Sequence, residues 1–268
     1  MTLSIAVAGK GGIGKTTLCA LLVRCLRDLN AGPVLAVDAD PNSNLAEALG
    51  VEPGKPLAEI REAGSSPEGS PPSGIGRVRV VSDELQRAIV EAEGFDLITM
   101  GRPEGPRCYC AVNNLLRNAL DNLARNYRTI VIDNEAGMEH LSRRTTNDVD
   151  ALVVILNPTL PSLRAARRIL ELSRELPIRV RHRMVLVNRV DPQGIPDEVQ
   201  KDLVHLDGER LPDVPQDAVV EQAGAVGQDV MSLPSDTLAL AAMRRVAETL
   251  GKLRLGNEKQ QFTNGVTP

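Results

Sequence analysis

Short apolar runs, each about a strand in length, recur along the chain at Leu3–Ala8, Val34–Asp38, Arg77–Ser82, Phe95–Met100, Thr129–Asp133, Leu152–Leu156 and Met184–Val187. The first is rich in β-formers and reads as a buried strand. Helical periodicity fills the stretches Lys15–Asn30, Val112–Arg125, Leu163–Leu176 and Thr237–Leu253. Strands alternating with helices predict an α/β fold, a mostly parallel sheet with helices on both faces. Two stretches break the rhythm. Pro53–Gly76 is rich in Pro, Gly and Ser and reads as a mobile surface loop, and Asn257–Pro268 is polar and reads as a flexible tail. The pattern predicts one domain over residues 1–256, with no internal repeat.

Composition narrows the partners. Of the 268 residues 42% are hydrophobic, but aromatics make up 1% and Trp is absent, so Leu, Val, Ile and Ala must fill the core. Single-stranded nucleic acid would find almost no stacking platforms. A formal net charge of −4 gives no bulk attraction to nucleic acid or an anionic membrane. No segment is apolar for long enough to span a bilayer, and no signal peptide is evident. The expectation is a cytoplasmic protein, without nucleic acid and without stable membrane association.

Gly9-Lys10-Gly11-Gly12-Ile13-Gly14-Lys15-Thr16 satisfies G-x-x-x-x-G-K-[ST], the phosphate-binding P-loop. Glycines let successive backbone N–H groups converge on phosphate oxygens, and the following helix adds its positive dipole end. Lys15 is placed to reach the β- and γ-phosphates, and the Thr16 hydroxyl to bind Mg²⁺. With Thr17 the string reads GKGGIGKTT. It resembles the deviant P-loop class that includes MinD, ParA and the nitrogenase iron protein. That resemblance implies an ATPase of the deviant Walker A (SIMIBI) type. It also implies that Lys10 reaches across a homodimer interface to the partner's nucleotide.

Acidic residues follow the other apolar runs, at strand ends where α/β sheets bind ligands. Asp38 and Asp40 follow the second run; by resemblance to the class, Asp40 is the switch I residue near Mg²⁺ and the attacking water, with Asp38 in support. Asp133 holds the Walker-B or switch II position, a carboxylate for Mg²⁺, and Gly137 could offer its N–H to the γ-phosphate. Asn188-Arg189-Val190-Asp191 is the expected base-recognition segment. Its pattern is close to the guanine signature N-K-x-D, so these residues alone leave ATP and GTP both open.

Of four cysteines, Cys19 and Cys25 fall inside the first helix and read as core filler. Cys108-Tyr109-Cys110 follows a Gly/Pro-rich loop and precedes a predicted helix, a setting that favours thiolate. Two thiolates leave a soft metal half-coordinated, so a symmetric dimer would complete a four-thiolate site for Ni²⁺ or Zn²⁺.

CYC, GKGGIGKTT, VDADP and DNEAGMEHL together resemble the nickel-insertion ATPases of carbon monoxide dehydrogenase and acetyl-CoA synthase, the CooC/AcsF type. The resemblance spans roughly Met1 to Leu250, and the cysteine pair and AGMEHL are its discriminating parts. It implies an ATP-driven homodimer that carries or permits insertion of Ni²⁺ into a client enzyme, carbon monoxide dehydrogenase or acetyl-CoA synthase. Glu139 and His140 follow switch II; His140 reads as a capping or packing group, with help to a metal or a relay of nucleotide state toward Cys108 as the alternative. Arg164, Arg167, Arg168, Arg174, Arg179, Arg181 and Arg183 read as a solvated helix face followed by a turn. Three other functions stay open on the residues: a partitioning or positioning ATPase of the ParA/MinD type, an ATP-dependent reductase with a [4Fe–4S] cluster between subunits, and a metal-binding or sensing module that hydrolyses nothing.

Overall fold

The computed structural model describes residues 2–59, 83–101, 122–134, 148–175 and 179–264. The expected strand at Arg77–Ser82, most of the expected helix Val112–Arg125, and Cys108, Cys110, Gly137, Glu139 and His140 lie outside the described residues. Among the described residues, eight strands form one sheet: β1 (Leu3–Gly9), β2 (Val34–Asp38), β3 (Val90–Ala92), β4 (Phe95–Thr99), β5 (Thr129–Asp133), β6 (Asp148–Leu156), β7 (Arg179–Val187) and β8 (Glu209–Arg210). Their spatial order is β3-β4-β2-β5-β1-β6-β7-β8. Every neighbouring pair is parallel except β3 and β4, which run antiparallel at one edge. The parallel arrangement follows from the βα alternation, because helices must cover both faces.

The covering helices are α1 (Lys15–Asp28), α2 (Leu45–Ala48), α3 (Leu160–Glu175), α4 (Asp197–Leu203), α5 (Ala218–Ala225) and α6 (Leu238–Asn264). Alternate residues of each strand feed opposite layers, as a period of two requires. On β1, Leu3, Ile5 and Val7 pack with α1, α2 and α6. Ala6 and Ala8 point the other way, toward α3 and α4. Small residues on that face of β1 let α3 lie close to the sheet. Cys19 and Cys25 are both buried in the first layer. The last helix runs on to Asn264, past the Leu253 at which the apolar periodicity fades.

Strands β6 and β7 start earlier than their apolar runs, because charged residues occupy their first halves. Asp150 accepts hydrogen bonds from the Ser4 N–H and hydroxyl, both at 2.9 Å, and its own N–H donates back to the Ser4 hydroxyl. Arg181 completes the cluster with an ion pair to Asp150 at 2.9 Å. A charged residue inside a sheet is tolerated when its oxygens are filled in this way. The arginine-rich stretch is therefore a helix followed by a strand, rather than a helix and a turn. Arg164, Arg167, Arg168 and Arg174 are exposed on α3, whereas Arg179, Arg181 and Arg183 belong to β7. Arg183 folds back to donate to the Ser173 hydroxyl and carbonyl, closing the end of α3. The head of the Pro53–Gly76 stretch is also packed rather than loose. Leu57 is buried and the Ala58 N–H donates to the Met100 carbonyl.

Asp38, fully buried at the end of β2, fastens the connection to α2. One oxygen accepts from the Asp40 N–H at 3.1 Å and the other from the Leu45 N–H at 2.9 Å. Burial nevertheless pushes its carboxyl up to about 7, with Asp133 and Asp40 adding repulsion against the two hydrogen bonds.

Asp150→Ala should remove the acceptor of the Ser4 N–H and hydroxyl and the ion-pair partner of Arg181 at once, leaving only the residue-150 backbone N–H on Ser4, and cost about 2–4 kcal/mol in urea denaturation. Combined with Ser4→Ala the loss should be less than the sum of the two single losses, because they share one network. Additive losses would mean that the cluster is not coupled. Asp38 makes a second expectation. Its proton is held in the folded chain at pH values where the unfolded chain, near the ordinary 3.8, has released it. Its contribution to stability is thus complete below about pH 4 and is lost as pH rises through about 7. Nucleotide-free protein carrying Asp38→Asn should show a flatter decline of stability over that window, and an unchanged slope would refute the assignment.

Candidate functional site

The C-terminal ends of β1, β2, β5 and β7 meet around the P-loop. Gly9 ends β1 against β6, and a Cβ there would lie 2.8 Å from the Ile155 carbonyl oxygen, so no other residue fits without a shift. Gly14 adopts φ 91°, a left-handed conformation suited to glycine, and turns the chain into α1. The start of α1 has no side-chain cap and no acidic residue in its first turn. Its N–H groups and dipole are left for a ligand, the arrangement that receives phosphate. Lys15 is buried in this turn, Thr16 and Thr17 are half-buried, and Lys10 stands exposed at the tip of the loop.

Parallel register sets Asp38 of β2 directly beside Asp133 of β5. Both oxygens of Asp133 are buried with no hydrogen bond of normal geometry. Burial raises its carboxyl to about 6, opposed by the nearby Thr16 hydroxyl, Lys15 and the Cys19 thiol. A buried carboxylate without donors is costly in isolation. It is the oxygen donor that a hard dication such as Mg²⁺ requires, and Thr16 offers a second oxygen close by. The residues therefore fit the metal. Asp40 is half-exposed on the loop between β2 and α2, where its Oδ1 accepts from the Asn42 backbone and side chain at 2.9 Å. Asn134, after Asp133, donates its side-chain amide to the Val7 carbonyl at 2.8 Å and ties the end of β5 to β1.

Asn188, at the end of β7, serves the loop directly: its amide nitrogen donates to the Ile13 carbonyl at 2.8 Å. Arg189, held at φ 56°, reaches the Gly12 carbonyl at 3.5 Å. Asp191 is occupied elsewhere, accepting from the Gln193 N–H in its own turn. Beside the loop opens a cavity of about 550 Å³, walled by Gly14, Thr17 and Leu21, by Asn188 and Pro215, and by Val220 of α5.

The sequence pattern missed this last wall. Residues 211–216 continue along β7 through backbone hydrogen bonds, among them Val214 N–H to Val187 and Gln216 N–H to Val190, and carry Pro215 to the cavity. Asp217 then caps α5: one oxygen accepts from Val219 at 2.9 Å, and the other from Ala239 at the start of α6. An Asp preceding Ala218-Val219-Val220 is a legible helix start, but α5 is short and buries only Ala223, so it has no apolar stripe. Among the described residues, no group of three or more His, Cys, Asp and Glu could hold a further metal, and no helix is long and apolar enough to cross a membrane.

Comparison with known proteins agrees with this geometry. The family model for the CobQ/CobB/MinD/ParA nucleotide binding domain (CbiA) matches residues 4–230. An ATP-binding protein of Methanocaldococcus jannaschii without a characterised role is 38% identical over 92% of this chain and 97% of its own. The carbon monoxide dehydrogenase accessory protein CooC of Rhodospirillum rubrum is 33% identical over 93% of this chain and 99% of its own. Among solved structures, the septum site-determining protein MinD of Pyrococcus horikoshii, complexed with Mg-ADP, superposes with a TM-score of 0.70 at 22% identity, over 94% of this chain and 97% of that one. By its sheet order, its P-loop and these matches, the chain is an ATP-binding P-loop ATPase of the CobQ/CobB/MinD/ParA family.

Proposed function

We propose that this chain is an ATP-driven accessory protein that supports nickel insertion into carbon monoxide dehydrogenase or acetyl-CoA synthase. The observation that carries the proposal is the 33% identity to CooC over nearly the whole of both chains, together with the Cys108-Tyr109-Cys110 motif.

In this reading the triphosphate lies along the P-loop, with N–H groups of residues 11–17 on its oxygens and Lys15 against the β- and γ-phosphates. Thr16, Asp133 and Asp40 would hold Mg²⁺, which would supply charge neutralisation for the phosphoryl oxygens. Asp40 orients the attacking water, Asp38 keeps the loop that carries Asp40 in place, and Gly137 offers its N–H to the γ-phosphate. Lys10, free of the fold at the loop tip, acts on the nucleotide of a second copy, so ATP tightens a homodimer.

The cavity takes the nucleoside and favours adenine. One amide hydrogen of Asn188 is engaged by Ile13, which leaves a second hydrogen and the carbonyl oxygen. That donor–acceptor pair suits the N7/N6 edge of adenine, whereas guanine presents two acceptors there. Asp191, the carboxylate a guanine signature would need, caps its own turn instead. Nickel enters as cargo, held by Cys108 and Cys110 of two protomers, so hydrolysis and metal affinity are coupled through the dimer.

Two measurements test the reading. Lys15→Ala should lower ATP turnover at least a hundredfold by removing the phosphate countercharge, while Asp40→Ala should bind ATP but lose hydrolysis. Wild-type turnover by Lys15→Ala would overturn the site. Equilibrium dialysis with Ni²⁺ should give one ion per dimer, weakened in acid because thiolates must shed protons. Replacing Cys108 and Cys110 with Ala should abolish it and leave ATP binding intact. Undiminished metal binding, or two ions per dimer, would favour a partitioning ATPase over a nickel accessory protein.

A further inference from the structure

The cavity beside the P-loop contains a charged side chain that neither the fold nor the phosphate chemistry uses. Asn188 is engaged by the Ile13 carbonyl, and Asp217 by backbone N–H groups of α5 and α6. Arg189 reaches the Gly12 carbonyl. Glu221, on the second turn of α5, differs from these. It lines the cavity, is solvent-exposed, and its two oxygens share a single donor, the Gln216 side-chain amide at 3.2 and 3.3 Å. A carboxylate accepts hydrogen bonds at several positions, so most of its capacity is unused.

A negative side chain near a polyphosphate is unfavourable unless it meets a donor. Adenine offers its donor at the 6-amino edge, and the phosphates offer none. The sugar is the part of the nucleotide rich in hydroxyl donors, and a carboxylate reading a ribose hydroxyl is a recurring solution in α/β nucleotide sites. Gly224 supports this placement. It lies one helical turn beyond Glu221, also lines the cavity, and a Cβ built on it would meet nothing within 4 Å. The helix is therefore bare where a sugar ring would lie against it. Gln216 holds the carboxylate toward the cavity from the segment that carries Pro215.

We propose that Glu221 is the ribose-reading residue of this ATPase, accepting a hydrogen bond from the sugar diol and making the site prefer nucleotides that carry both hydroxyls. Gln216 acts as the positioning residue for that carboxylate. The inference rests on the nucleoside lying in this cavity and is independent of nickel delivery.

Binding of ADP, 2′-deoxyADP and 3′-deoxyADP, measured by calorimetry on the full chain, tests it. Wild-type protein should bind ADP about tenfold more tightly than at least one of the deoxy forms, the scale of a charge-assisted hydrogen bond at a partly exposed site. Glu221→Ala should bind all three alike, at the level of the weaker deoxy form, and Glu221→Gln should keep part of the preference because its amide oxygen still accepts. Equal binding of all three by the wild type, or an intact preference in Glu221→Ala, would overturn the proposal. Gly224→Leu places a side chain in the cavity and should weaken all three nucleotides together. If it leaves them unchanged, the cavity is not the seat of the nucleoside and the proposal falls for that reason. Loss of nickel binding in the cysteine variant bears on neither outcome.

Discussion

The structure turns on a buried carboxylate that no backbone N–H holds and that only the nearby Thr16 hydroxyl, Lys15 and Cys19 thiol offset. Asp133 ends β5 with both oxygens out of water and without a hydrogen bond of normal geometry, beside a second buried carboxylate on β2. A core selected for stability alone would not hold such a pair, because desolvation of either charge outweighs what nearby groups return. The sheet holds it through register. β1, β2 and β5 are adjacent and parallel, so their C-terminal ends necessarily bring Asp38, Asp133 and the P-loop into one place. The unpaired donor set and the uncapped helix start are complementary deficits, one needing a cation and the other an anion. A metal–nucleotide complex supplies both.

The two aspartates differ in what they do with burial. Asp38 has both oxygens filled by backbone N–H groups and works as a fastener for the loop that presents Asp40. Asp133 has neither held by a backbone N–H nor by a bond of normal geometry, and is left for a ligand. The distinction could not be drawn from the sequence, where each is an acidic residue closing an apolar run. It depends on whether the chain after the strand folds back to donate, as Leu45 does, or leads away. Cys19 shows the same limit. As core filler it is correctly placed, yet burial and the neighbouring Asp133 push its thiol well above the ordinary range, so it stays protonated against the carboxylate.

Much of the fold was legible because parallel strands buried on both faces have few polar residues to obscure them. β2 and β5 have the bounds their apolar runs suggest. β6 and β7 were shortened in the reading because Asp150 and Arg181 interrupt the runs, and only the pairing of β6 with β7 makes that interruption an ion pair. The nucleoside side was hardest to see. Its wall is a short helix with one buried residue, anchored by Asp217 rather than by an apolar stripe. Such an element derives its stability from capping and from the segment beside β7, and neither leaves a periodic trace.

That wall is also tied to the hydrolytic side of the site. After α5 the chain turns at Gly227, where a Cβ would lie 3.1 Å from the Glu47 side chain of α2. Asp229 then caps the next turn through the Ser232 N–H, and its side chain packs against Gly50, leaving 2.9 Å for any Cβ there. Buried Arg24 of α1 donates to the Val230 carbonyl, so the turn is fixed from below as well. Meanwhile α2 begins at Leu45, whose N–H is held by Asp38. The wall of the cavity and the loop bearing Asp40 thus rest on the same short helix from opposite ends. Both glycines have positive φ, so neither contact can be relieved by an ordinary side chain without strain in the backbone as well. The exposed Glu47 carboxylate can swing aside from Gly227, so it is Asp229 against Gly50, with Arg24 on the Val230 carbonyl, that ties the turn after α5 to the end of α2.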